Sequence, residues 1–159
     1  MEIENKKVAI ENYVSALKEL HRLEILKSKH DFTSQIGEWL VETIYNGRRA
    51  DSSIQKGWDV EVDGRLIQVK THAKSRDNHN RWTSINKNDT EDINELIIIV
   101  FSSDYKLERF YQVPWSIAMS RLETRNKRIL RNQLSWSNIE DYRINLDSLP
   151  MQNVVSIFR

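Results

Sequence analysis

The chain has 159 residues, with 24 Lys and Arg against 23 Asp and Glu, 39% hydrophobic residues and no cysteine. This length is typical of a compact domain that buries roughly 70% of its unfolded surface, so one domain is expected over residues 1–159, and the absence of cysteine excludes disulfides, cysteine-ligated metals and a thiol nucleophile. No apolar run approaches the ~20 residues that span a bilayer, and the N-terminus lacks the pattern of a signal peptide, so we expect a cytoplasmic protein without a membrane partner.

An amphipathic helix is predicted at the N-terminus, from about Glu4 to Lys29. Its apolar stripe can pack against its own domain, which is the simpler interpretation, or against the same helix of a second copy. The stripe consists of Ile10, Tyr13, Val14, Leu17 and Leu20.

A second helix is predicted from about Ser34 to Tyr45, because Thr33 or Ser34 can cap its start and Gly47 follows its last apolar residue. Glu38 lies off the apolar stripe of this helix. That stripe consists of Ile36, Leu40 and Ile44.

Two short segments, Trp58 to Val62 and Arg65 to Thr71, are predicted to form a β-hairpin because Asp63-Gly64 joins them. The two-residue turn fixes the register, so Asp59 is expected opposite Gln68. One face of this hairpin is apolar. The other face is expected to present Asp59, Glu61, Gln68, Lys70 and His72.

The polar hairpin face contains the groups needed to hydrolyse a phosphodiester. Asp59 and Gln68 can offer two oxygens to a hard ion such as Mg²⁺, and Lys70 can orient a water or stabilise the phosphoryl group. Glu61 is a second acid on this face. The alternative interpretation is a solvated surface on which alternating charges have no catalytic role.

The rest of the chain predicts further strands and helices, which together give an α/β or α+β fold with a mixed central sheet flanked by helices. Leu96 to Phe101 has the unbroken apolar composition of a strand buried on both faces. The other predicted elements are a strand at Leu107 to Val113, a helix from Pro114 to about Leu122, a short helix at Ser135 to Tyr142 and a strand at Val154 to Phe158.

The hairpin contains Asp59, a gap of eight residues, and then Gln68-Val69-Lys70. This pattern resembles the PD-(D/E)XK nuclease superfamily, the restriction-endonuclease-like fold, whose signature is Asp, a variable gap, Asp or Glu, any residue and Lys. Superfamily members commonly have a glutamate on the preceding helix, and Glu38 is similar to that residue. The one departure is Gln68, which replaces the second acid and removes one negative charge from the metal site.

The resemblance implies a restriction-endonuclease-like core over about residues 34–115, with an N-terminal helix (1–30) and a C-terminal extension (116–159) outside it. The order of the predicted elements matches the αβββαβ core of the superfamily only approximately. The resemblance also implies a metal-dependent DNA endonuclease that uses Mg²⁺, or Mn²⁺ as an alternative. Asp59, Gln68 and Glu38 would hold the ion, and Lys70 would complete the catalytic set.

The segment that follows Lys70 is expected to be a loop that contacts DNA, most simply double-stranded DNA. It combines cationic and hydrogen-bonding side chains, which contact phosphates and can read base edges. The net charge of +1 does not argue against this, because the positions of the charges decide nucleic-acid binding. The predicted contacts are His72, Lys74, Arg76, Asn78 and Arg81.

Two alternatives to an active nuclease stay open from the sequence. A chain with the same fold and a weak metal site would bind nucleic acid without cutting it, which Gln68 favours. A protein that acts through its N-terminal helix is the second alternative. A homodimer is expected if the target is a palindrome, because a two-fold protein matches a two-fold site.

Overall fold

The computed structural model describes residues 2–28, 31–51, 57–74, 77–86, 92–123 and 131–159. Within these ranges the helices are α1 (Glu2–Arg22), α2 (Phe32–Ile44), α3 (Trp115–Ser120) and α4 (Gln152–Val155). The strands are β1 (Arg48–Arg49), β2 (Val60–Val62), β3 (Arg65–Lys74), β4 (Trp82–Asn86), β5 (Glu95–Ser102), β6 (Leu107–Pro114) and β7 (Arg131–Ser135). Three 3-10 turns follow at Trp136–Tyr142, Leu146–Ser148 and Ser156–Phe158.

Five strands form a mixed sheet in the order β1-β2-β3-β5-β6. Strands β3 and β5 are parallel, and the other neighbours are antiparallel. Strands β4 and β7 form a separate antiparallel pair. The predicted mixed α and β architecture, with a mixed sheet flanked by helices, is confirmed.

Strand β5 lies inside the sheet with both faces buried, as its apolar composition predicted. Its side chains alternate between two hydrophobic cores, one on each face of the sheet. Ile97, Ile99 and Phe101 face the core that contains α2, and Leu96, Ile98 and Val100 face the core that contains β4, β7 and α3. Each core therefore depends on the same strand.

The predicted hairpin and its register are confirmed, with Val62 opposite Arg65 and Val60 opposite Ile67. Asp63 and Gly64 both have positive φ, 49° and 77°, as a two-residue hairpin turn requires. Strand β2 is shorter than predicted and begins at Val60.

Helix α2 begins at Phe32, two residues earlier than predicted, and the predicted caps Thr33 and Ser34 are wrong. The cap is Asp31, whose side chain accepts a hydrogen bond from the backbone N–H of Ser34 at 3.3 Å. Asp31 adopts a left-handed backbone with φ of 54°, which aspartate tolerates better than most residues.

Helix α1 ends at Arg22 instead of extending to Lys29. Two features end it. Glu24 has a φ of 57°, and the buried guanidinium of Arg49 donates hydrogen bonds to the carbonyl oxygens of Glu24 and Ile25. The guanidinium also pairs with Glu42 on α2 at 2.7 Å, so it ties the end of α1 to the second helix.

Two further predictions are wrong. Residues Val154 to Phe158 form the end of α4 and a 3-10 turn, because Val155 and Phe158 face the core at the three-residue spacing of a helix. The predicted loop after Lys70 begins later than expected, because β3 continues to Lys74 and its side chains pack on β5 and Trp136. Helix α3 begins at Trp115, with Pro114 as its cap residue.

No helix in the described ranges combines the length and the apolar composition that crossing a membrane requires.

Helix α2 packs on β3 with very little space between them. A Cβ atom built on Gly37 would lie under 3.0 Å from both the hydroxyl oxygen and the Cβ of Thr71. Any side chain at position 37 would push the helix off the strand. Glycine is therefore required here despite its cost of about 1 kcal/mol inside a helix.

The substitution Gly37→Ala should lower the free energy of unfolding by about 1–3 kcal/mol, because the steric cost exceeds the gain in helix propensity. Thr71→Ala alone should cost little, since it removes a buried hydroxyl that has no partner in the described part of the chain. The double variant should recover part of the loss. Urea denaturation followed by circular dichroism measures all three, and a Gly37→Ala variant as stable as the parent would contradict the close packing.

Candidate active site at the edge of β3

Asp59 lies at the edge of β3, where the hairpin pairing ends. Its backbone N–H donates to the carbonyl oxygen of Ile67 at 2.8 Å, and its Oδ2 accepts from the backbone N–H of Val69 at 2.7 Å. Val69 stands between Gln68 and Lys70 in the chain. The hydrogen bond therefore holds the Asp59 carboxylate beside the two β3 residues that the sequence associated with it, although Asp59 itself is not part of β2.

The side chains of β3 alternate between the two faces of the sheet. Val69 faces the α2 core, and Thr71 lies against Gly37 of α2. Gln68, Lys70 and His72 have the opposite parity. The predicted sorting of the hairpin side chains is confirmed within β2 and β3, since their apolar residues join the α2 core. Lys70 is only partly buried. Its ammonium makes no hydrogen bond or ion pair to the described residues.

Glu38 is carried on α2, one residue after the close contact between Gly37 and Thr71. Burial is the largest cause and the negative charge of Asp59 is the second; against the opposing charge of Arg49, they raise the pKa of Glu38 to about 7. The fold therefore brings two acids into one partly desolvated region. Near pH 7 the Glu38 carboxyl carries a proton in roughly half of the molecules.

Gln68 is 4% exposed, and its Oε1 has no hydrogen-bond partner among the described residues. Leaving a buried carbonyl oxygen unpaired costs about 1–3 kcal/mol, and such atoms are found where a ligand or a water completes the bonding. A carboxylate at Asp59, a carboxyl at Glu38 and this amide oxygen are the ligand types that Mg²⁺ prefers. In the described ranges, no group of three or more His, Asp or Glu side chains is gathered that could hold a metal ion, so a cation site here would need the amide oxygen of Gln68.

His72 ties β3 to the second sheet. Its Nε2 lies 2.9 Å from the hydroxyl of Thr83, and its ring centroid lies 5.4 Å from that of Trp136. The indole N–H of Trp136 donates to the same hydroxyl at 2.9 Å. Burial lowers the pKa of His72 to about 4, assisted by the charges of Lys74 and Lys70. The imidazole is therefore neutral near pH 7 and acts in packing; sequence reasoning had assigned it to the nucleic-acid loop.

Three of the predicted nucleic-acid residues line one polar groove of about 330 Å³: Lys74, Asn78 and Arg81. Partial burial and the charge of Arg81 both lower the pKa of Lys74, which shows that these two cations are close together. Arg76 lies outside the described residues. The rest of the lining comes from the end of β5, the turn after it and the start of β6, and consists of Ser102, Ser103, Asp104, Lys106 and Glu108.

Lys106 is a residue that sequence reasoning missed. Lys106 is more than thirty positions from Lys74 in the chain, and the polar turn that contains it matches no functional motif, so nothing local in the sequence indicates its role. The signal was indirect: the carboxyl ends of parallel strands meet at one edge of a sheet, and β3 and β5 are parallel. This parallel pairing places the turn after β5 beside the loop after β3, but the sequence alone did not predict the pairing.

Two other sets of charges are used in ion pairs. Glu61, the second acid of the hairpin face, pairs with Arg48 at 2.7 Å. Arg121 pairs with Asp141 at 2.8 Å. Arg125, Lys127 and Arg128, the next cations along the chain, lie outside the described residues.

No family model matches the chain. The chain is 31% identical over 106 residues to the uncharacterized protein YnaC of Bacillus subtilis (strain 168), a match that covers 58% of this chain and 39% of that protein. The chain therefore spans about two fifths of the length of this relative. The name of the relative assigns no activity.

The raised pKa of Glu38 predicts a specific dependence of stability on pH. The unfolded carboxyl has a pKa near 4.5, so between that pH and about 7 the folded state binds more protons than the unfolded state. Stability is therefore lost as the pH rises through this window. Glu38→Gln has no carboxyl at this position and therefore does not lose stability in this window. Above pH 7 its free energy of unfolding should exceed that of the parent by up to about 2 kcal/mol, a figure reduced for solvent screening.

The pKa can be measured directly from the ¹³C chemical shift of the Glu38 carboxyl as a function of pH. In Asp59→Asn it should fall, because a repelling charge is removed, and it should stay above its ordinary range because burial is the larger cause. A pKa that does not change in this variant would show that the two acids are not coupled.

Proposed function

We propose that this chain is a metal-dependent endonuclease that hydrolyses DNA phosphodiester bonds, with a restriction-endonuclease-like core over about residues 34–115. The observation that carries the proposal is the hydrogen bond from Val69 to the Asp59 carboxylate, which holds that acid beside Gln68 and Lys70. The electrostatic coupling of Glu38 to Asp59 supports it, since perturbed acids cluster at functional sites.

The metal would be held by Asp59, Gln68 and Glu38, with Mg²⁺ as the first choice and Mn²⁺ as the alternative. When bound, such an ion lowers the pKa of a water and neutralises charge that develops on the phosphoryl group. The unpaired Oε1 of Gln68 fits this role because its bonding capacity is unused by the described chain. Cation binding requires the charged form of Glu38, so metal affinity should rise as the pH passes about 7.

Lys70 would position the attacking water and stabilise the negative charge of the transition state. Its ammonium is available for this, because it has no ion-pair or hydrogen-bond partner in the described ranges.

The DNA backbone would follow β3 from the candidate site to the groove that contains Lys74, Arg81 and Lys106. Lys74 is four residues beyond Lys70 on an extended strand, a distance of about 13 Å. Cations at this separation can contact two different, non-adjacent phosphates of double-stranded DNA.

A second candidate function is a nucleic-acid-binding module of the same fold that cuts poorly. Gln68 favours it, because one carboxylate fewer weakens a Mg²⁺ site, and a Glu38 that is half protonated near pH 7 weakens it further. Binding of DNA without metal-dependent cleavage by the parent chain would establish this function.

Cleavage of plasmid DNA by the purified chain, with Mg²⁺ or Mn²⁺, tests the proposal. Asp59→Asn and Lys70→Ala should each lower the rate by roughly 10²–10⁴-fold while circular dichroism and the melting temperature stay close to those of the parent. Glu61→Gln is the matched control, because Glu61 is an acid of the same hairpin that is already paired with Arg48. Equal rates in the parent, Asp59→Asn and Lys70→Ala would overturn the assignment of the site.

The substitution Gln68→Glu restores the carboxylate of the superfamily signature. It should lower the Mg²⁺ concentration needed for half-maximal cleavage, since a third negative charge is added to the ligand set. A variant that needs more Mg²⁺ than the parent would argue that Gln68 does not contact the ion.

DNA binding without metal tests the groove separately from catalysis. Arg81→Ala and Lys106→Ala should weaken binding several-fold, and each should reduce the slope of log affinity against log salt by about one. Arg143→Ala is the control, because it removes a cation that lies outside the groove and pairs with Glu140. Unchanged affinity in both groove variants would remove this surface from the proposal.

A further inference from the structure

Helix α1 leaves most of its apolar stripe exposed. None of its 21 residues is buried, and only Leu17 and Leu20 of the predicted stripe pack against the core. Nine large hydrophobic residues are exposed in the described part of the chain, and five of them belong to this helix. Ile10 is 64% exposed and Tyr13 is 66% exposed. Packing within the chain therefore accounts for only the last part of the stripe.

The stripe has the spacing of a helix-pairing seam. Ile3, Ile10 and Leu17 recur at intervals of seven residues, and Tyr13 and Leu20 follow at the same interval, three positions later. These are the a and d positions of a heptad repeat, with Lys6 as the one polar member. A helix of this length extends about 31 Å, so its N-terminal half projects well beyond Leu17.

The foot of α1 borders an apolar groove of about 320 Å³. Its lining includes Tyr13 and Leu17 of α1, and Leu26 and Phe32 from the residues that follow the helix. The groove is continuous with the exposed stripe, because Tyr13 and Leu17 belong to both.

The charges of α1 favour an antiparallel partner of the same sequence. The first turn contains Glu2 and Glu4, and the last turn contains His21 and Arg22. All of these pairs are exposed: the two acids pair within the helix with Lys6 and Lys7, and Arg22 pairs with Glu19, so an exchange of partners between two helices costs little. In an antiparallel pair each acidic turn lies beside the basic turn of the other helix, and the helix dipoles oppose each other favourably. In a parallel pair, the helix dipoles would align unfavourably, and Glu2 and Glu4 would lie beside the same acids of the other helix.

We propose that two copies of this chain associate through α1 in an antiparallel arrangement, with the N-terminal half of each helix lying along the apolar groove at the foot of the other. Each copy supplies both a stripe and a groove, so the interface is related by a two-fold axis and closes at a dimer. This association does not depend on the proposed nuclease activity, and it is measured without DNA.

Sedimentation equilibrium of the full chain over a concentration series tests the proposal. The parent should be a dimer, and Ile10→Asp should shift it to a monomer at the same concentrations. Ile157→Asp is a matched control, because Ile157 is also 64% exposed but lies far along the chain from α1, in the last 3-10 turn. Circular dichroism checks that both variants remain folded. A monomeric parent, or a dimer that Ile10→Asp leaves intact, would overturn the proposal.

Charge reversal tests the direction of the helices. Glu4→Lys alone and Arg22→Glu alone should each raise the dissociation constant by roughly threefold to tenfold, and the double variant should recover most of the parent affinity. A parallel pair predicts little change in any of the three, since like charges would meet before and after each reversal. That result, or a double variant weaker than either single variant at unchanged helix content, would overturn the antiparallel arrangement.

Discussion

The close approach of α2 to β3 at Gly37 and Thr71 is the constraint on which the rest of this structure depends. It sets the distance between the helix and the sheet, and it leaves the Thr71 hydroxyl buried without a partner in the described chain. The same contact fixes the position of Glu38, the next residue of the helix, relative to the edge of β3. A larger residue at position 37 would separate the helix from the strand and, with it, Glu38 from Asp59.

The candidate site is assembled across the edge of β3 from both faces of the sheet. Glu38 is carried by α2, on one face of the sheet, and Lys70 belongs to the β3 residues that face the other side. Asp59 lies at the edge between the two faces, where its carboxylate accepts a hydrogen bond from the backbone N–H of Val69. Two neighbouring acids and an unpaired amide oxygen are costly to keep in a partly buried region. This cost is the physical reason for associating the region with a ligand, and the superfamily resemblance offers one identity for that ligand.

On the face of the sheet opposite α2, a hydroxyl group contacts two aromatic side chains, His72 and Trp136. The Thr83 hydroxyl accepts a hydrogen bond from the indole N–H of Trp136 and lies within hydrogen-bond distance of His72. This one hydroxyl therefore links β3, β4 and the turn after β7. Lys74 lies over the Trp136 ring at 5.3 Å and is thereby held at the mouth of the polar groove. His72 belongs to this structural unit, whereas the sequence alone had grouped it with the nucleic-acid contacts.

The sequence by itself determined the local geometry of this protein. The Asp63-Gly64 turn and the two-residue period of a strand were enough to predict the hairpin register and the separation of its faces, because these depend on neighbouring residues alone. The unbroken apolar composition of β5 predicted its burial, although not which elements would cover it. Tertiary structure decided the rest. The coupling of Glu38 to Asp59, the burial of Gln68, the end of α1 at Arg22 and the meeting of Lys106 with Lys74 all depend on contacts between residues that are distant in the chain. No local spacing encodes such contacts, since they follow from how helices pack on the sheet and from which strands pair in parallel.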